Sequence, residues 1–163
     1  LIWNAIETGK IQTIGSDHCS FRLHPLKEIG MNDFRLVPGG LPGIELRYPL
    51  IHTFGVLNDH LRLQDWVNIC STQPAKIFGL YPRKGSLAIG SDADIVLFNP
   101  VKKVIINQKM LHENVDYSPY NNLELTGYPV KTVVKGKILI SEGNLVSHNQ
   151  DGNFLRCGQP NFL

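Results

Sequence analysis

The 163-residue sequence predicts an α/β fold, and three observations carry that expectation. A helix-like opening stops at Gly9 and gives way at once to an alternating stretch, the αβ step of a repeating α/β fold. Helical periodicity then dominates from Ile44 to Gly79. From Lys84 onward the hydrophobic period drops to two, which reads as a small antiparallel sheet distinct from the helical part.

Composition narrows the function classes. The chain is 42% hydrophobic and 18% charged, in the range of soluble globular proteins. Sixteen basic residues face fourteen acidic ones, and the largest basic clusters are pairs such as Arg83-Lys84 and Lys102-Lys103. Nucleic acid binding calls for more clustering than that, so no nucleic-acid partner is expected. No apolar run approaches the roughly 20 residues of a membrane helix, so no membrane partner is expected either. Cys19, Cys70 and Cys157 are odd in number and widely spaced, without a CxxC unit. That argues against a disulfide framework or a structural zinc site and fits a reducing cytoplasm. The chain opens at Leu1 inside a helix-like stretch and shows no secretory leader, so a cut through a longer protein is expected.

In chain order, Trp3 to Thr8 reads as a helix end, with Gly9 in the left-handed position that stops it. Lys10 to Ser16 is expected as a short strand carrying Ile11 and Ile14, with Asp17 at its C-terminal end. His18 to Gly43 is an aperiodic loop ending in Pro38-Gly39-Gly40-Leu41-Pro42-Gly43, and loops this long tend to be functional. Ile44 to Leu57 predicts a helix with Leu46, Leu50, Phe54 and Leu57 on its buried stripe and Pro49 in its first turns. After the polar break Asn58-Asp59-His60, Gln64 to Cys70 predicts a helix burying Trp66, Val67 and Cys70. Ser71 or Thr72 is then expected to cap a third helix with Pro74 near its start and Gly79 at its end. Ala93 to Phe98 and Val101 to Ile106 read as two strands. Val130 to Val134 and Lys137 to Ile140 flank a Lys135-Gly136 hairpin turn, and Ser141 to Asn144 makes a further turn. The expected division is residues 1–82, then 83–146 with an inserted loop near 107–127, then a tail at 147–163 that could reach a partner subunit.

Asp17 is the central candidate for chemistry. A strand-end carboxylate can bind a divalent metal and can carry a proton; a loop-bracing carboxylate is the plainer alternative. His18, Cys19 and His24 lie nearby, but adjacent side chains diverge, so His18 is poorly placed to activate Cys19. The Pro38–Gly43 loop lacks the Lys-Ser/Thr of a phosphate loop, while its glycines would let backbone groups approach a small ligand. Asp92 and Asp94 read as a turn feeding a strand, and His52, His60, His112 and His148 as structural or surface residues.

Taken together, these segments resemble bacterial hydantoinases and dihydropyrimidinases of the amidohydrolase superfamily. The motifs are Ser16-Asp17-His18-Cys19-Ser20-Phe21, Pro42-Gly43-Ile44-Glu45-Leu46-Arg47, and Ser71 to Leu80. Arg83-Lys84-Gly85, Gly90 to Val96 and Asn114-Val115-Asp116-Tyr117-Ser118-Pro119-Tyr120 complete them. The resemblance spans nearly the whole chain, and its first and last motifs are the most specific. It implies the C-terminal part of a (β/α)8 TIM-like barrel followed by strands of a small β-sandwich.

It also implies two zinc ions bridged by a carboxylated Lys outside this chain. Asp17 matches the last metal ligand in chain order and would carry a proton from the attacking water to the departing ring nitrogen. The substrate class implied is a cyclic ureide or imide, opened to an N-carbamoyl amino acid, and the oligomer implied is a homotetramer. Where relatives contact the substrate ring through the backbone of an Asn, this sequence has Gly39. The other metal ligands have no counterpart here, so the isolated chain is expected to be inert. The alternatives are a non-catalytic dihydropyrimidinase-related scaffold, or a related hydrolase such as dihydroorotase or allantoinase.

Overall fold

The computed structural model describes residues 1–147 and 152–161. Helix α1 (Ile2–Glu7) ends at Thr8, and Gly9 follows at φ +71°, where only a residue without Cβ sits at no cost. The expected strand at 10–16 does not form. Its polar groups are taken up elsewhere: the Ile11 N–H donates to Ala5 O, and Arg47 Nη1 donates to Ile14 O at 2.6 Å. A strand needs a ladder partner, and among the described residues none lies beside this segment. Ile11 and Ile14 still turn inward against a core of Ile6, Leu61, Trp66, Ile69 and Cys70.

Two helical runs follow. Helix α2 (Arg47–Ile51) continues without a break into a wider π-type run, His52–Val56, with Pro49 inside its first turn as expected. Its buried positions are Leu46, Pro49, His52 and Gly55, spaced by three. The expected stripe is therefore corrected: Leu46 is fully buried, but Phe54 and Leu57 are exposed. Helix α2 is clasped from two sides. Leu46 and Leu50 meet the sheet, while Tyr48, Ile51 and Val56 meet the helical core, and two apolar faces break a single-stripe reading.

The second run joins α3 (Leu63–Val67), a π-type stretch Asn68–Thr72, and α4 (Gln73–Ile77). The sequence suggested two helices separated by a cap at Ser71 or Thr72. Instead Val67, Asn68, Thr72 and Gln73 all hold right-handed helical backbone, and Thr72 Oγ1 donates to Gly85 O at 2.9 Å. Trp66 and Cys70 are buried as expected, whereas Val67 faces outward. Gly79, at φ +64°, closes the run.

Strands β1 (Ile95–Ile105), β2 (Glu124–Val134), β3 (Lys137–Ser141) and β4 (Asn144–Leu145) form an antiparallel sheet in sequence order. The two expected strands at 93–98 and 101–106 are one strand, bulged between Asn99 and Lys103 around Pro100, which has no N–H for the ladder. Strand β2 takes in residues 124–127 at the end of the expected inserted loop. Lys135 and Gly136 both have positive φ (+49° and +75°), as a two-residue hairpin of this twist demands. Asp92 and Asp94 do feed a strand from a turn. Lys84 Nζ bridges both carboxylates, Arg83 Nε adds a bond to Asp92 at 3.0 Å, and Asp94 Oδ1 accepts the Lys135 N–H.

Helices and sheet are fastened at two places. Leu46, Ile106 and Leu125 are fully buried together, each contributing roughly 1.5–3 kcal/mol. His52 is 1% exposed between Trp66 and Phe98, and its Nδ1–H donates to Thr126 O at 2.8 Å. Thr53 Oγ1 donates to that same carbonyl and accepts the Thr126 N–H, each at 3.0 Å. His52 is thus a satisfied core histidine. His60 stacks on Trp3, with ring centroids 5.1 Å apart, and His148 lies outside the described residues.

Candidate functional site

Asp17 sits at φ +46°, a left-handed conformation that Asp tolerates better than most residues but that still costs about 1 kcal/mol. The backbone on either side is tied down. Arg47 holds Ile14 O, the Cys19 N–H donates to Leu41 O at 3.0 Å, and His18 and Leu41 form a parallel bridge. His18 Nδ1 accepts the N–H groups of Gly43 (3.1 Å) and Ile44 (3.4 Å). Its ring hydrogen therefore stands on Nε2, and the side chain braces the 38–44 loop from behind. It does not activate Cys19. The Asp17 side chain itself is exposed and, among the described residues, makes no hydrogen bond or ion pair.

Gly39 also faces solvent, and no atom lies within 4 Å of where its Cβ would stand. Its neighbours are held. Lys27 Nζ donates to Pro38 O and Gly40 O, both at 2.8 Å. Gly40, at φ +121°, lies so close to Cys19 that a Cβ would come within 2.4 Å of the Cys19 Cβ. The loop carrying Gly39 and the strap carrying Asp17 are therefore in direct contact.

Lys27 ends a short helical segment, Leu23–Lys27, whose beginning is gripped from far along the chain. Asp116 Oδ1 accepts the Leu23 N–H at 2.7 Å and Oδ2 accepts the His24 N–H at 2.9 Å. These backbone bonds, the His24 one foremost, hold the Asp116 carboxyl below its usual 3.8. Arg22 Nη2 donates to Asn114 Oδ1 at 3.3 Å nearby. His24 itself stands mostly exposed with Glu28, 2.5 Å away.

A second knot ties the same loops. The Glu45 N–H donates to Glu113 Oε1 at 3.1 Å. Glu45 Oε2 accepts the His112 N–H at 2.7 Å, and His112 Nδ1 lies 3.0 Å from Glu45 Oε1. Burial, with Glu45 and Glu113 adding negative charge, pushes the neighbouring Tyr128 hydroxyl up to about 12. Motif segments at 16–21, 42–47 and 114–120 are thereby gathered into one region.

Asp17 and Gly39 are thus placed on contacting segments; sequence reasoning missed Lys27, and it named Glu45, His112 and Asp116 without the contacts they make. Their partners are backbone groups or residues more than sixty positions away, which no local pattern announces. Among the described residues no group of three or more His, Cys, Asp or Glu gathers to hold a metal ion, so Asp17 could serve only as one ligand of a wider set. No helix among them is long and apolar enough to cross a membrane.

A family model for the amidohydrolases matches residues 1–139. The chain is 40% identical over 156 residues to a D-hydantoinase of Ralstonia pickettii, covering 96% of this chain and 34% of that protein. Among solved structures it resembles a D-hydantoinase with TM-score 0.92 and 41% identity, covering 96% of this chain and 34% of the other. It also resembles the dihydropyrimidinase from Brevibacillus agri NCHU1002 with TM-score 0.93 and 37% identity, covering 98% and 35%. The chain spans about a third of the length of the curated relatives it matches.

Proposed function

The chain belongs to the amidohydrolase family, and from that premise we propose that it is the C-terminal part of a zinc-dependent cyclic amidase. The reaction is the opening of dihydropyrimidines or hydantoins to N-carbamoyl amino acids. The observation that carries this reading is the presentation of Asp17: an exposed carboxylate, free of protein partners among the described residues, on backbone pinned at both sides. A merely bracing carboxylate would be occupied, as Asp116 is.

An unoccupied carboxylate fits one metal position, with the remaining donors and a carboxylated Lys supplied by polypeptide outside this sequence. Bound zinc would polarise the ring carbonyl and bring the pKa of water down towards about 7. Asp17 contributes proton carriage. One carboxylate oxygen takes a proton from the attacking water and delivers it to the ring nitrogen as the C–N bond breaks. Without that proton the nitrogen would have to leave as an amide anion. Gly39 offers backbone N–H and C=O to the ring. The exposure of Gly39, with no atom within 4 Å of where its Cβ would stand, supports that contact.

In the same reading residues 1–82 close a (β/α)8 barrel, 83–146 supply strands of a β-sandwich, and 147–163 form a tail at a subunit contact of a homotetramer. The antiparallel meander of β1 to β4 supports the second unit. The three free cysteines support a cytoplasmic setting. The test uses the complete polypeptide that carries this sequence, loaded with zinc, and measures N-carbamoyl product from dihydrouracil and hydantoin. Asp17→Ala should lower turnover by about 100-fold or more, the scale of general acid–base catalysis, with an unchanged melting profile. Retained turnover would remove Asp17 from the mechanism, and no turnover by the parent protein would favour a non-catalytic scaffold.

A further inference from the structure

We propose that Lys27 is a positioning residue that aims the backbone of Gly39 at the substrate ring; the inference rests on the cyclic-amidase reading. Glycine has the widest backbone freedom of any residue, so a contact made through the Gly39 peptide needs its direction set from outside. Lys27 supplies that. Its half-buried ammonium donates to the carbonyls of Pro38 and Gly40, the two residues flanking Gly39, each at 2.8 Å. The peptide bonds here are trans, because the cis bonds are those at His24-Pro25 and Tyr81-Pro82. In a trans peptide the N–H points opposite to the C=O. Drawing Pro38 O towards Lys27 therefore turns the Gly39 N–H away from the lysine.

A lysine serving only solubility or local packing would not be expected to span both neighbours of one residue. Nor is Lys27 held by a carboxylate, since among the described residues it forms no ion pair. The lysine is itself anchored, because the segment that ends with it starts on the Asp116 carboxylate at 2.7 and 2.9 Å. Anchor, ammonium and glycine thus form one mechanical series from residue 116 to residue 39.

Lys27→Met keeps the aliphatic stem and removes the ammonium. In the zinc-loaded complete protein it should raise KM for dihydrouracil about tenfold while changing kcat less than about twofold, because a ring contact of this kind holds ground state and transition state alike. Lys27→Arg, whose fork can reach two acceptors, should recover most of that loss. Exchange of the Cys19 and Gly43 amides, which are bonded to Leu41 O and His18 Nδ1, should quicken about tenfold in Lys27→Met, with exchange in β2 unchanged. Unaltered KM, or unaltered exchange at Cys19 and Gly43, would overturn the proposal, as would a rise in KM that accompanies faster exchange in β2. If the parent protein opens no cyclic ureide, the functional reading fails; if it does and Lys27→Met behaves like the parent, only the positioning role fails.

Discussion

Adjacent glycines at 39 and 40 should respond in opposite ways to the same added methyl group. At Gly40 the backbone holds φ +121°, and an added Cβ would meet Cys19 Cβ at 2.4 Å, Sγ at 2.9 Å and O at 3.0 Å. The strained conformation costs about 1–3 kcal/mol for a residue with a side chain. Overpacking against Cys19 adds about 1–3 kcal/mol more, since backbone as well as side chain must move. At Gly39 no atom lies within 4 Å and φ falls outside the left-handed region, so alanine there should be neutral or stabilise by about 0.4–1 kcal/mol through the unfolded chain. The Cys19 N–H, bonded to Leu41 O at 3.0 Å, reports directly on this contact. Native-state hydrogen exchange of the complete protein should show its opening free energy falling by about 2–6 kcal/mol in Gly40→Ala and holding steady in Gly39→Ala. Cys19→Gly in the Gly40→Ala background should recover the overlap but not the backbone strain. Equal protection in the two single variants would refute the packing account of this loop and, with it, the claim that it rests on the Asp17 strap.

Two further outcomes follow from the electrostatics. Burial pushes the Cys70 thiol up to about 11, so at pH 8 iodoacetamide should alkylate the exposed Cys19 and Cys157 well before Cys70; mass spectrometry showing Cys70 labelled first would contradict its packing. The Asp116 carboxyl is depressed below 3.8, so its grip on the Leu23 and His24 amides is complete above that pH and is lost only as pH falls through the lower folded value. Protection of those two amides should persist from pH 7 to about pH 4, and its loss between pH 6 and 5 would count against the assignment.

The elements that the sequence made legible are those with local punctuation. Gly9 and Gly79 end helices where predicted, Pro49 sits in a first turn, and Lys135-Gly136 makes the hairpin, because each of these depends on one or two residues' own backbone preferences. The merging of α3 and α4 was not legible. A widened turn leaves no mark on a 3.6-residue period, and Thr72 satisfies Gly85 O, a partner 13 positions away. The strand expected at 10–16 had the right alternation but lacked a neighbour, and pairing is not a local property. Asp17 stood out as a carboxylate in a suggestive place. Its freedom from partners, which separates it from Asp33, Asp65, Asp92, Asp94 and Asp116, emerged only from three-dimensional contacts.

At the far end of the chain, Gly158 donates its N–H to Gly79 O at 2.9 Å, and a Cβ on Gly79 would stand 2.3 Å from Gly158 O. Main chain rests directly on main chain there, so this contact is made by peptide groups. Any variant that gave position 79 a side chain would have to relocate the whole terminal segment.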